Sequence, residues 1–217
     1  MKNGIIITMP RYDDVTEYFS QFSKEILKKA KDGGLPVKEL VDKEAIRSSF
    51  EAVAKSFPYN LAVLNGHGNA KEIFGQDKSP LIAEGVNEQI LAGKITYARA
   101  CEAGLSLGKS IISLSEEGCF IGYELPFQFY ADITWATNPL KDNTARIFLN
   151  PSNAIPLALI SGKTTIEAHE NAKRMTLKSI NKVLRNADEK SLAFAEALWN
   201  NYEGQVLLGD GKASLNN

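Results

Sequence analysis

The chain is poor in the two residues that carry most covalent and metal chemistry: it has two cysteines and two histidines among 217 residues. A structural zinc site needs about four such ligands close together, so no metal centre is expected. The formal net charge is −1, which leaves no basic stripe for nucleic acid or for an anionic membrane surface. No stretch approaches the roughly 18 consecutive apolar residues of a membrane span. Met1-Lys2-Asn3 runs directly into the strand-like Gly4-Ile5-Ile6-Ile7-Thr8 without a small-residue cleavage site. A cytoplasmic protein is therefore expected, with its thiols reduced. Internal repeats and low-complexity tracts are absent too.

Apolar residues make up 44% of the chain, enough for one core, and their spacing gives its layout. Asp13 or Asp14 can cap a helix whose apolar positions Val15, Tyr18, Phe19, Phe22, Ile26 and Leu27 recur at three- and four-residue intervals, with Gly33-Gly34 at its end. A strand follows at 37–41, a helical pattern at 43–57, then the strand Asn60-Leu61-Ala62-Val63-Leu64-Asn65. A loop with Gly75 and Pro80 leads to a short helix at 86–91, and a further strand covers 94–100. Residues 104–115 read as a helix and 119–125 as a fifth strand. Strands alternating with helices predict an α/β fold, a mostly parallel sheet with helices on both faces.

The rest of the chain differs. Residues 126–150, with Pro126, Pro139 and Lys141-Asp142-Asn143, read as a long loop with one short strand at 145–149; a loop of that length is usually functional. Helical patterns follow at 152–160, 165–184 and 191–202, and Gln205-Val206-Leu207-Leu208-Gly209 closes the chain with a short apolar run. The expected organisation is one domain over 1–217: an α/β core to 125, the loop, and a helical portion with a short final strand from 151.

Two strands run into reactive side chains. One delivers Gly66-His67-Gly68, the other Arg99-Ala100-Cys101. In an open parallel sheet the carboxyl ends of the strands share one crevice, so an imidazole and a thiol far apart in sequence can meet there. Imidazole titrates near neutrality and can serve as base and acid. Gly68, lacking a side chain, lets its amide approach a substrate carbonyl, and the Cys101 amide is the natural second donor for an oxyanion. Thiol–imidazole chemistry needs no metal or organic cofactor, and none is expected.

These motifs resemble the caspase-like superfamily of cysteine peptidases: His67-Gly68 after one apolar strand and Ala100-Cys101 after the next. Cys119-Phe120-Ile121-Gly122-Tyr123 looks like the family's following strand. Ser161-Gly162-Lys163-Thr164-Thr165-Ile166-Glu167-Ala168 is similar to the lead-in to a late helix in the gingipain and CHAT branches, and Leu207-Leu208-Gly209-Asp210 to their Leu-Gly-Asp-Pro ending, with Gly211 in place of proline. The resemblance implies a three-layer caspase-like fold and a cysteine endopeptidase. Cys101 would be the nucleophile and His67 the general acid/base, with the amides of Gly68 and Cys101 holding the oxyanion. It also implies a protein or peptide substrate and a regulatory protein partner. Arg99-Ala100-Cys101-Glu102-Ala103-Gly104 departs from the Gln-Ala-Cys-Arg-Gly of animal caspases by one extra residue. The position two before the nucleophile lines the specificity pocket in the family, so Arg99 there favours an acidic substrate residue, whereas Glu124 at the end of the next strand favours a basic one. Arg99 and Glu124 can also neutralise each other, and the gingipain-like and CHAT-like motifs tilt the expectation toward basic specificity.

Each feature also has a plainer reading. A lone cysteine at a strand end is usually core, which is the reading kept for Cys119. His169, between Glu167 and Glu170, reads as a solvated helix residue. Gly66-His67-Gly68 lacks the spacing of a dinucleotide fingerprint, and Gly108-Lys109-Ser110 lacks the earlier glycine of a phosphate loop. Two further functions compete with the peptidase: a catalytically inactive caspase-like binding scaffold, and a thiol-dependent hydrolase or acyltransferase acting on a small substrate.

Overall fold

A computed structural model describes residues 4–186 and 188–215; Met1-Lys2-Asn3 and the two ends of the expected 1–217 domain lie outside them. The first half alternates strands and helices except between β3 and β6, where a hairpin takes the place of a helix: β1 (Gly4–Met9), α1 (Asp14–Asp32), β2 (Val37–Val41), α2 (Arg47–Ser56), β3 (Tyr59–Asn65), a hairpin of β4 (Glu72–Phe74) and β5 (Pro80–Ala83), β6 (Ile95–Arg99), α3 (Leu107–Ser113) and β7 (Cys119–Tyr123). Three helices follow, α4 (Asn143–Ile160), α5 (Thr165–Asn186) and α6 (Ser191–Gly204), and then β8 (Gln205–Gly209). The main sheet has the order β2-β1-β3-β6-β7-β8, parallel except for β8, which runs antiparallel to β7.

The unbroken apolar runs Ile5-Ile6-Ile7 and Leu61-Ala62-Val63-Leu64 become central strands because a parallel sheet is covered on both faces. On one face Ile7, Val63, Tyr97 and Ile121 pack with Ile26 of α1, Ile155 of α4 and Ala168 of α5. On the other, Ile6, Ala62, Ala98 and Phe120 meet Phe50 of α2, Ile111 of α3 and Leu81 of the hairpin. A smaller cluster of Phe148, Val183 and Leu198 joins α4, α5 and α6. The result is an α/β protein whose mostly parallel six-stranded sheet is flanked by helices, with a helical C-terminal portion. Among the described residues no helix is long and apolar enough to cross a membrane.

Several expectations change. Residues 145–149 are helical, not extended, because buried Asp142 caps α4, accepting from the amides of Thr144 (2.8 Å) and Ala145 (3.0 Å). Pro151 and Pro156 lie inside that helix; the burial of every residue from Pro151 to Pro156 outweighs the bonds they remove. The connection after β7 therefore ends at 142 and holds two short 3₁₀ turns, Ile133–Trp135 and Pro139–Lys141. The helix expected at 104–115 shrinks to α3, because the preceding residues form a turn whose Gly104 amide donates to the Tyr123 carbonyl (2.9 Å). The helical pattern at 43–57 splits into a 3₁₀ turn, Asp42–Glu44, and α2, and the helix at 86–91 is a 3₁₀ turn, Glu88–Leu91. The β4–β5 hairpin has no counterpart in the sequence pattern.

Candidate active site

Four adjacent strands, β1, β3, β6 and β7, end at one edge of the sheet. The residues just beyond those ends are Asp13, His67, Cys101 and Phe127, in that order across the edge. His67 and Cys101 line a single cavity of about 390 Å³, together with Gly66 and Ala100. Its remaining walls are Val15 and Phe19 from α1 and Phe127, Gln128, Phe129 and Tyr130 from the connection after β7.

The turn carrying His67 is fixed by glycines and by the hairpin. A side chain at Gly66 would put its Cβ 2.1 Å from the Phe74 carbonyl oxygen. At Gly68 a Cβ would lie 3.0 Å from both the Ala100 Cβ and the Cys101 carbonyl oxygen, so the two strand ends touch beside the cavity. The Phe74 amide donates to the His67 carbonyl (2.9 Å), locking the hairpin onto the turn. That is why a three-residue strand matters here: it orders the chain that aims the imidazole.

His67 Nε2 lies 2.7 Å from Asp13 Oδ2. Asp13 is the N-cap of α1: its Oδ1 accepts from the Thr16 amide (2.8 Å) and hydroxyl (2.8 Å), so one carboxylate serves the helix end and the imidazole together. Burial alone would raise the Asp13 carboxyl, but the bonds from Thr16 and His67 outweigh it and hold the group below its ordinary range. Asp13 is thus an ionised acceptor at neutral pH. A neutral His67 must then carry its proton on Nε2 and keep the Nδ1 lone pair as a base. The sequence marks Asp13 only as a helix cap. The missing signal is topological: β1 neighbours β3, which puts the residues following each strand side by side.

Cys101 is half-buried. Burial pushes its thiol above the ordinary range; a hydrogen bond from the Phe127 backbone offsets part of this, and the charge of Glu102 adds to it. Glu102 itself adopts a left-handed conformation, with φ of 58°, a strain of about 1–3 kcal/mol that holds the sharp turn after the sulfur. Resting Cys101 is therefore a neutral thiol, and it would need a base to take its proton before it could act as a nucleophile.

Arg99 and Glu124 do not join this cavity's lining. Arg99 is 0% exposed on the α1–α4 face of the sheet. Its Nε donates to Ser152 Oγ (3.0 Å) and its Nη2 to Asn153 Oδ1, and its guanidinium lies 5.2 Å from the centre of the Phe19 ring. Glu124 pairs with Lys109 of α3 (3.2 Å) and packs against the turn at Gly104. Neither neutralises the other; each has its own partners. Cys119 is fully buried at the opposite edge of the sheet. His169 is half-buried rather than solvated: Gln205 Nε2 donates to its Nδ1 (3.0 Å), and burial, with the Lys173 charge adding, lowers its pKa to about 4. Among the described residues no three His, Cys, Asp or Glu side chains are grouped so as to hold a metal ion.

The loop bearing the aromatic walls is tied down from two sides. Asn201 of α6 brackets Gln128, accepting from its amide (2.8 Å) and donating to its carbonyl (2.6 Å). Asp142 Oδ2 accepts from the Tyr18 hydroxyl (2.9 Å) and the Asp132 amide (2.7 Å), joining α1, the loop and the start of α4. Neither comparison with protein-family models nor comparison with curated protein sequences returned a match.

Proposed function

We propose that the chain is a caspase-like cysteine endopeptidase in which Cys101 is the nucleophile and His67 the general acid/base. The observation that carries this reading is the meeting of His67, oriented by Asp13, with Cys101 in one open cavity at the carboxyl edge of neighbouring parallel strands. The Cys101 proton passes to His67 while Sγ adds to the scissile carbonyl carbon, whose oxygen becomes the oxyanion held by the amides of Gly68 and Cys101. On collapse the C–N bond breaks and the departing amine takes the proton from His67. Water then adds to the thioester, giving its proton to His67. The C–S bond breaks, and the sulfur recovers that proton as the acid leaves. Asp13 accepts a hydrogen bond from Nε2 throughout and stabilises the imidazolium.

The raised Cys101 thiol favours one competing reading, a caspase-like scaffold that binds without cleaving. Modification of Cys101 by a peptide-based electrophile separates the two. The peptidase should be modified far faster than free cysteine at the same pH, and a rate no faster than free cysteine sinks the peptidase reading.

A further inference from the structure

Resting on the peptidase reading, we infer that the residue preceding the cleaved bond is apolar: the cavity beside Cys101 selects an aliphatic or aromatic side chain, not a charged one. Neither charge that could have read the substrate lines the cavity, although Arg99 keeps one guanidinium nitrogen, Nη1, without a hydrogen-bond partner among the described residues. Arg99 sits one layer below the cavity, sealed under the Phe19 ring and held by Ser152 and Asn153. Asn153 is itself fixed, since its Nδ2 donates to the Phe22 carbonyl of α1 (2.9 Å). Glu124 faces Lys109 on the other side of the sheet's end.

What faces the sulfur instead is an aromatic enclosure. The Phe127 ring lies 4.8 Å from that of Tyr123 and 5.8 Å from that of Phe19, and the Phe129 ring lies 5.6 Å from Phe19. Val15 completes the wall. An ammonium, guanidinium or carboxylate pushed between Phe19, Phe127 and Phe129 would lose its water without meeting an ionised side chain of opposite charge among the cavity walls. A Leu, Met or Phe side chain would gain apolar contact on several sides. The enclosure is also preformed, because Asn201 and Asp142 hold the loop that carries it. The cavity volume of about 390 Å³ has room for one such side chain beside the reacting carbonyl.

The test uses the wild-type chain and a set of peptidyl electrophiles identical except at the residue next to the reactive carbon, with Cys101 modification followed by intact mass. Peptides with Leu, Met or Phe should react at least about tenfold faster than those with Arg, Lys, Asp or Glu, the scale on which an apolar pocket discriminates. In Phe127→Ala that preference should shrink. Fastest reaction with Asp or Glu would overturn the inference and mean that Arg99 is reached. Fastest reaction with Arg or Lys would overturn it in favour of Glu124, and equal rates would mean that the cavity reads nothing. If a small alkylating agent modifies Cys101 but no peptide does so faster than it modifies free cysteine, the peptidase reading itself fails and the specificity falls with it.

Discussion

The two cysteines stand at opposite edges of the same sheet, and their surroundings differ accordingly. Cys119 opens β7 at the amino edge, beside the start of α5: it is fully buried, and burial pushes its thiol up to about 12, with the Thr165 hydroxyl offsetting part of the effect. Cys101 follows β6 at the carboxyl edge, half-buried on an open cavity beside His67. Both are cysteines at strand boundaries of similar apolar sequence. What separates a packing thiol from one open to a ligand is the edge of the sheet at which it emerges, because the carboxyl edge leaves room between successive loops.

The sharpest way to break that contrast is to remove each sulfur in turn. Cys101→Ala should abolish peptide cleavage and irreversible labelling while the far-ultraviolet circular dichroism is unchanged. Cys119→Ala should keep full activity and cost about 1 kcal/mol of stability from the small void it leaves. Cleavage at wild-type rate by Cys101→Ala, measured on the same substrate, would remove the nucleophile assignment.

Next in size is the imidazole. His67→Ala should lower kcat by roughly two to four orders of magnitude, the scale of a lost general acid/base. The wild type should keep its activity in a strong chelator of transition metals. Inactivation by the chelator that zinc restores would make His67 a ligand and not a proton carrier.

Much of this contrast is legible in the amino-acid sequence. The convergence of His67 and Cys101 on one edge of the sheet, most of the alternation of strands and helices to residue 125 and the late helices follow from periodicity and from where apolar runs end. Other features escape it, each for a physical reason. The β4–β5 strands are too short to show a period, although they order the His67 turn. The start of α4 is hidden because its stability comes from the Asp142 cap and from burial, against two prolines that speak locally for a break. Arg99 and Glu124 are expected at the cavity because strand parity fixes a side chain's face but not its reach; Arg99 is turned down to Ser152 and Asn153. Asp13 is visible as a cap, yet its second role depends on the order β1-β3-β6, which periodicity does not encode.

Asp13 sharpens the comparison further, since the amino edge offers Cys119 no imidazole held by a carboxylate. Asn caps helices about as well as Asp, so Asp13→Asn should cost only a few tenths of a kcal/mol as a cap. Its amide can still meet Nε2, but by donating, which favours the opposite tautomer and takes the lone pair from Nδ1. The expected outcome is a fall in kcat of at least about tenfold with KM little changed. A further readout is acid stability. The native Asp13 carboxyl lies below its unfolded value, so its contribution is present at neutral pH and is lost as pH falls through the native value. Asp13→Asn should lack that loss. Unchanged kcat with altered stability would leave Asp13 a cap alone.

The smallest expected effect lies outside the cavity lining, at the contact between α5 and β8. Gln205 opens β8 opposite Tyr123, the last residue of β7, so this contact tests whether the carboxyl edge beyond β7 is only packing. His169 accepts a hydrogen bond at Nδ1 from Gln205 and is held neutral, its pKa lowered from 6.5 to about 4 by burial first and by the Lys173 charge second. A histidine whose native pKa is depressed takes up its proton in the unfolded chain first. As pH falls from about 6.5 toward 4, the unfolded state binds more protons than the native one, and stability declines across that window before levelling off below it. Protonation of Nδ1 would also turn the acceptor of the Gln205 bond into a donor facing a donor. His169→Asn removes the titration, so its midpoint in urea should vary less between pH 6.5 and 4 than that of the wild type, while activity at neutral pH stays at the wild-type level. Parallel pH profiles of stability for the two proteins would mean that His169 is solvated after all, and loss of activity would tie β8 to the catalytic site.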